Sequence, residues 1–259
     1  MILQRLKTRR HSLENRFSEF LEMPTTLMSD GDNSNLLSEF LVGRLRGYNK
    51  MILKNFVVFE GIDGAGTSTQ ISALKGCAES HKFFFTTEPT ESPTGKFLRQ
   101  ILKGDVKIDS RTSAYLFAAD RAEHLWGTSD KSTGIQEKCL SKIVVSDRYI
   151  FSSLAYQGVS CGEELPRLLN SPFPLPEILF FFEIEPEVSL LRIKNRDIRE
   201  IFETQEFLKQ TEERYKDIVN EYESKNTGMK IVRIDASLAP DKITKIILDE
   251  LSPLLKRLS

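Results

Sequence analysis

Cysteine is scarce in this chain: three occur in 259 residues, at Cys77, Cys139 and Cys161, with no CxxC pair. That spacing excludes a disulfide scaffold and a cysteine-based zinc site. It suits a reducing compartment, so a cytoplasmic protein is expected. Each thiol reads as a small core hydrophobe. No apolar run reaches the ~20 residues that cross a bilayer, so no membrane partner is expected. Neither sign of charge dominates, since 36 Lys and Arg face 37 Asp and Glu for a net charge of −1. Without a basic field the chain is not expected to bind nucleic acid, and an anionic ligand must be caught locally.

A local device for that purpose is present, with one residue missing. Gly61-Ile62-Asp63-Gly64-Ala65-Gly66-Thr67-Ser68-Thr69-Gln70 follows the apolar run Phe56-Val57-Val58-Phe59 with only Glu60 between them. The phosphate-cradling pattern is G-x-x-x-x-G-K-[ST] between a strand and a helix. Gly61 and Gly66 keep its spacing and Ser68 holds the hydroxyl position that meets Mg²⁺, but Thr67 stands where the lysine belongs. The glycines still let backbone N–H groups converge on an anion, and the following helix adds its positive end. What is lost is a mobile charge against the β/γ oxygens, where phosphoryl transfer develops negative charge.

Residues 1–50 differ from the rest. Arg5, Lys7, Arg9, Arg10 and Arg16 lie among scattered apolar positions, and a polar, turn-rich break follows at 24–35. No continuous apolar core marks a secretory signal. The segment reads either as a disordered or marginally helical extension, or as residues upstream of a true start at Met51. From 51 onward strands alternate with helices. Strands are predicted at 55–60, 82–86, 142–146, 178–184 and 229–234. Helices are predicted at 66–79, 94–103, 110–126, 132–140, 151–157, 186–195, 204–223 and 241–256. Ile178-Leu179-Phe180-Phe181-Phe182 is apolar throughout, as in a strand covered on both faces. The alternation predicts an α/β domain over 51–259 with a parallel sheet and ligands at the carboxyl ends of its strands.

Four further segments bear on chemistry. Thr86–Gly95 follows the second strand and reads as a ligand loop or a plain connection. In Leu116-Phe117-Ala118-Ala119-Asp120-Arg121, Phe117 and Arg121 are i,i+4 neighbours on one helical face. They suit a planar base, although a core Phe and a solvent Arg are the plainer reading. His124, nearby, reads as structural or solvent-facing. Val144-Val145-Ser146-Asp147-Arg148-Tyr149 ends an apolar strand in an acid–base pair. There Asp147 could hold Mg²⁺ and Arg148 a phosphate, or the two could form a structural ion pair. Arg192, Arg196 and Arg199 lie before and within a segment at 196–204 that could cover the site, or on a solvated helix face.

Taken together, these segments resemble thymidylate kinase. Phe59-Glu60-Gly61-Ile62-Asp63-Gly64-Ala65-Gly66, then Leu116–Arg121, then Asp147-Arg148-Tyr149 with Ser152-Ser153-Leu154-Ala155-Tyr156-Gln157-Gly158 match that family in order and spacing. The likeness covers about 52–250, and the last run is its most specific part. It implies a P-loop nucleoside monophosphate kinase fold, with a five-stranded parallel sheet flanked by helices. It further implies a homodimer, and Mg²⁺-dependent transfer of the γ-phosphoryl of ATP to dTMP.

The resemblance also implies a role for each matching residue. Gly61 through Thr69, with Arg192 and Arg196, would bind ATP. Ser68 and Asp147 would meet magnesium. Phe117 would stack on thymine and Arg121 reach its edge, with Ser153 and Gln157 on the base and Ser152 beside them. Tyr156 would pack on the sugar and Asp63 would address its 3′-hydroxyl or the phosphate. Arg148 would hold the acceptor phosphate. Family members with a Gly64-Ala65-Gly66-like loop supply lid arginines instead of the lysine, and Arg199 best matches that position. Asp63, Arg148 and Arg199 would therefore be the catalytic set.

Three departures stand out: Thr67 for lysine, Thr87 for arginine, and Thr90-Glu91 for Gly-Gly, which would place a carboxylate near an anionic substrate. They leave two other readings open. One is a nucleotide-binding protein with an impaired site and a regulatory or interaction role. The other is a kinase of a different nucleotide.

Overall fold

The computed structural model describes residues 51–127, 134–193 and 204–258. The proposed extension at 1–50, Arg196 and Arg199 lie outside the described residues. Five strands, β1 (Ile52–Glu60), β2 (Phe83–Thr87), β3 (Ile143–Asp147), β4 (Leu175–Glu183) and β5 (Lys230–Asp235), form one sheet in the order β2-β3-β1-β4-β5. Every neighbouring pair is parallel, with Phe56 opposite Val144 and Val58 opposite Leu179. The predicted five-stranded parallel sheet is borne out.

The reason lies in the strands' composition. Phe56 to Phe59, Ile143 to Val145 and Ile178 to Phe182 are all buried. Side chains alternate between faces, so runs apolar at every position need cover on both faces. The cover is helical: α1 (Thr67–Lys75), α2 (Pro93–Leu102), α3 (Ser110–Trp126), α4 (Ile135–Lys138), α5 (Ile150–Ser152), α6 (Gly158–Cys161), α7 (Glu164–Asn170), α8 (Pro186–Ile193), α9 (Gln205–Ser224) and α10 (Pro240–Arg257). A π-helical stretch, Ser153–Gln157, joins α5 to α6. On α10, Ile243, Ile247, Leu251 and Leu254 are the buried face, at helical spacing. Among the described residues no helix is long and apolar enough to cross a membrane.

Differences from the expected boundaries have local causes. α1 stops at Lys75 instead of 79, because Gly76 closes it by donating its N–H to the Ser72 and Ala73 carbonyls. β1 starts early, at Ile52, through a register shift between Leu53 and Val57. There Asn55 takes φ 62° and its N–H reaches Glu177 Oε2 at 2.7 Å. The short α7 was not expected, and its seven residues are too few for a periodic signal.

The connection leaving β1 runs towards β2, whereas the one leaving β3 runs towards β4. These strands are neighbours, so their loops part and leave a crevice at the carboxyl ends. The phosphate loop follows β1 there, and Asp147 and Arg148 end β3 there.

Candidate active site

Two cavities open at this crevice. The smaller, about 260 Å³, is lined by Thr87, Glu88, Phe117, Arg121, Tyr156 and Gln157 among others. The larger, about 470 Å³, is lined by Ile62 through Gln70 together with Arg192 and Ala236. Asp63, Asp147 and Arg148 line both.

The larger cavity is lined by the phosphate loop and the start of α1. Gly64 and Gly66 take φ 83° and 98°, where L side chains are strained. A Cβ at Gly61 would also lie 2.8 Å from the Phe182 carbonyl oxygen. Gly66 precedes α1, and among the described residues no side chain caps that helix. Its first N–H groups are thus left for an anion. Thr67, Ser68 and Thr69 open the helix and line the cavity. Arg192 on α8 donates to the Gly64 and Ala236 carbonyls at 3.3 and 2.9 Å, tying the phosphate loop to the turn after β5. It therefore forms part of the cavity wall while remaining exposed to solvent.

Ser68 Oγ donates to Asp147 Oδ2 at 3.3 Å. The two sites expected to meet magnesium are thus adjacent. A hydroxyl and a carboxylate are hard oxygen ligands, and a divalent cation of this kind needs only one or two from protein beside phosphate and water. The donor set fits.

In the smaller cavity the polar side chains hold one another. Arg121 is 1% exposed, so the solvent reading of this arginine is wrong. Its Nε donates to Glu88 Oε2 at 2.9 Å, and its Nη2 to the Tyr149 carbonyl and Ser153 Oγ at 3.1 Å each. Its Nη1 donates to Asn170 Oδ1. The guanidinium also lies 5.4 Å from the Tyr149 ring and 5.7 Å from that of Phe173. Phe117, half-buried one turn earlier on α3, lines the same cavity. His124 is structural: its Nδ1 is 3.0 Å from Glu88 Oε1 and its Nε2 2.5 Å from Thr86 Oγ1. Gln157 Oε1 is buried and has no hydrogen-bond partner among the described residues.

Between the cavities, Arg148 donates to Asp63 Oδ1 at 2.6 Å and to Ser152 Oγ at 3.1 Å. The Tyr156 hydroxyl donates to Asp63 Oδ2 at 3.0 Å, beneath the Arg148 guanidinium. The Asp147–Arg148 ion pair is replaced by one with Asp63.

The loop after β2 lies against the smaller cavity, because Thr87, Glu88 and Pro89 line it. Buried Asp120 accepts from the Thr90 N–H at 2.8 Å, the Thr90 hydroxyl at 2.5 Å and the Ser92 hydroxyl at 3.0 Å. Thr90 thus gives Asp120 a donor that glycine lacks. Glu91 is not among the cavity-lining residues: its side chain is 78% exposed and pairs with Arg99 at 2.9 Å. The carboxylate expected to face an anionic substrate is turned outward and neutralised. Arg99 and Lys103, which do line the cavity, were missed, as were Glu88 and Asn170 as partners of Arg121. A cation at i and i+4 on a predicted helix was the available signal for Arg99 and Lys103. Of the cysteines, Cys139 is buried, and burial pushes its thiol up to about 12, whereas Cys77 and Cys161 are half-buried.

Comparison with known proteins agrees with this geometry. The chain is 43% identical over 189 residues to a Treponema pallidum protein named "Putative thymidylate kinase", an alignment covering 71% of this chain and 88% of the relative. It is 39% identical over 173 residues to a Methanocaldococcus jannaschii protein named "Probable thymidylate kinase", covering 66% and 85%. Residues 59–247, from the end of β1 to the middle of α10, match the thymidylate kinase family model, and the chain belongs to that family.

Proposed function

We propose that the chain transfers the γ-phosphoryl group of ATP to dTMP, with the acceptor in the smaller cavity and ATP in the larger. One observation carries this reading: the two cavities share Asp63, Asp147 and Arg148, so groups bound in each would meet there. The phosphate loop and Arg192 hold the donor, and Arg148 holds the acceptor phosphate against it. The acceptor is already an anion, so no protein base is required. Catalysis rests on alignment and charge neutralisation. Ser68 and Asp147 would hold Mg²⁺, which when bound neutralises charge on the donor phosphates.

Base choice follows from hydrogen-bond polarity. The unpartnered Gln157 Oε1 is a buried acceptor, and the imide N–H of thymine is a donor that satisfies it. Cytosine presents a lone pair at the same edge and would leave both acceptors unpaired. Phe117 stacks on the ring and Arg121, held by Ser153, donates to its carbonyl edge, while Ser152 holds Arg148. Tyr156, fixed on Asp63, fills the space beside the sugar. Arg199, helped by Arg196, supplies the charge that Thr67 does not. A homodimer, a cytoplasmic location and a catalytic unit at 51–259 complete the proposal; light scattering, fractionation and limited proteolysis check them.

ADP release by the purified full chain tests the reading, with Mg-ATP and dTMP, dUMP, dCMP, dGMP or thymidine. Turnover should be fastest with dTMP. Binding of dTMP without turnover would favour the regulatory alternative, which the kinase names of the relatives do not support.

A further inference from the structure

We propose that Glu60 is the positioning residue of Arg148, aiming its guanidinium at the acceptor phosphate from behind. The proposal rests on reading Arg148 as the phosphate clamp. Glu60 ends β1, is completely buried, and lines neither cavity. It cannot touch substrate.

The backbone at Arg148 needs an external hold. Its φ is 74°, a left-handed value that few residues other than glycine adopt without strain. Such a conformation persists only where its surroundings over-determine it. Here they do, on both sides. The Arg148 N–H donates to the Phe59 carbonyl at 2.9 Å. The next N–H, of Tyr149, donates to Glu60 Oε1 at 2.8 Å. The same oxygen accepts the Ser152 N–H at 3.1 Å, so Glu60 caps the start of α5 from another element.

The second carboxylate oxygen fixes the side chain. Glu60 Oε2 accepts the Ser152 hydroxyl at 2.6 Å and the Tyr215 hydroxyl at 2.9 Å. With its proton committed to Glu60, Ser152 Oγ turns a lone pair to Arg148 Nη1 at 3.1 Å. One buried carboxylate therefore sets both the backbone and the guanidinium of Arg148. Asp63 holds the opposite edge, on the cavity side, where an incoming phosphate can replace it.

The arrangement requires the ionised form. A carboxylate can accept all four donors, whereas a protonated acid must give a proton to one of them and displaces it. Burial pushes the Glu60 carboxyl up to about 7, against the pull of the Ser152 hydroxyl, the Arg148 charge and the Tyr215 hydroxyl. Those groups come from α5, from the end of β3 and from α9, and Asp63 and Tyr156 lie beyond Arg148. Capture of dTMP should thus strengthen as pH rises through about 7, where Glu60 ionises.

The test measures kcat/KM for dTMP at saturating ATP between about pH 6 and pH 8 on the full chain. Glu60→Gln keeps the shape but mimics the protonated acid. It should lower kcat/KM for dTMP by about 10- to 100-fold at the upper pH. It should also erase the limb near 7 and leave the KM for ATP unchanged. Tyr215→Phe removes a hydroxyl that favours the charge, so the limb should move to higher pH; this variant decides if Glu60→Gln does not fold. An unchanged limb in either variant, or equal losses for ATP and dTMP, overturns the proposal. Arg148→Lys separates the two readings. If it retains kcat/KM for dTMP, the clamp itself is misassigned, whereas its loss beside an unaffected Glu60→Gln refutes Glu60 alone.

Discussion

The two cavities are built from different materials. The proposed acceptor side is a set of buried and half-buried side chains that bond one another: Arg121 with Glu88, Asn170 and Ser153, and Asp120 with Thr90 and Ser92. The proposed donor side adds backbone features: loop glycines, a helix start and carbonyls that hold Arg192. The contrast matches the two tasks. A base is read by directional donors and acceptors that must be held still, and each is costly to leave unpaired. Phosphate is read by converging N–H groups and by charge, which can be supplied from more than one place. On the proposed reading, the charge of a missing lysine can come from elsewhere, whereas the buried partner of Arg121 cannot.

Four experiments break or sharpen that contrast. The largest effect belongs to Glu88→Ala, which leaves the Arg121 charge buried without its partner. Stability should fall by about 3–5 kcal/mol, read as a lower denaturant midpoint with unchanged slope. The threonines of the donor loop, exchanged for alanine, should cost far less. Next comes Arg148→Ala, at the junction. Loss of one such donor is worth about 3–4 kcal/mol, so kcat/KM for dTMP should drop by about two to three powers of ten while ATP still binds. An equal rise in the KM for ATP would mean that the cavities are not separate sites.

A smaller effect, specific to the acceptor side, is expected for Gln157→Leu. It should cost dTMP about 1–3 kcal/mol, measured in kcat/KM, and narrow its lead over dCMP. Smallest is Thr67→Lys on the donor side, which should raise kcat by about tenfold or less. In an Arg199→Ala background the same change should restore much more. An equal gain in both backgrounds would show that the lid arginine does not stand in for the lysine.

Much of this was legible in the chain, and the reason is locality. Strand–helix alternation, uninterrupted apolar strands and glycine spacing are properties of neighbouring residues, so the sheet, the phosphate loop and the Asp147–Arg148 strand end followed directly. The partners of each charge did not follow. Arg121 reads as a solvent-facing residue in isolation, and Glu88, Asn170, Tyr149 and Ser153, brought from three other segments, make its burial tolerable. Glu91 reads as a carboxylate beside the substrate, yet its rotamer and Arg99 turn it away. Glu60 is one letter before the loop glycine, and nothing in its neighbours marks it as a buried cap for a helix about ninety residues on. Local pattern decided which elements form and which residue types gather at the crevice. Tertiary packing decided which charges are paired, buried or free to meet a ligand, because electrostatic partners are set by distance in space rather than along the chain.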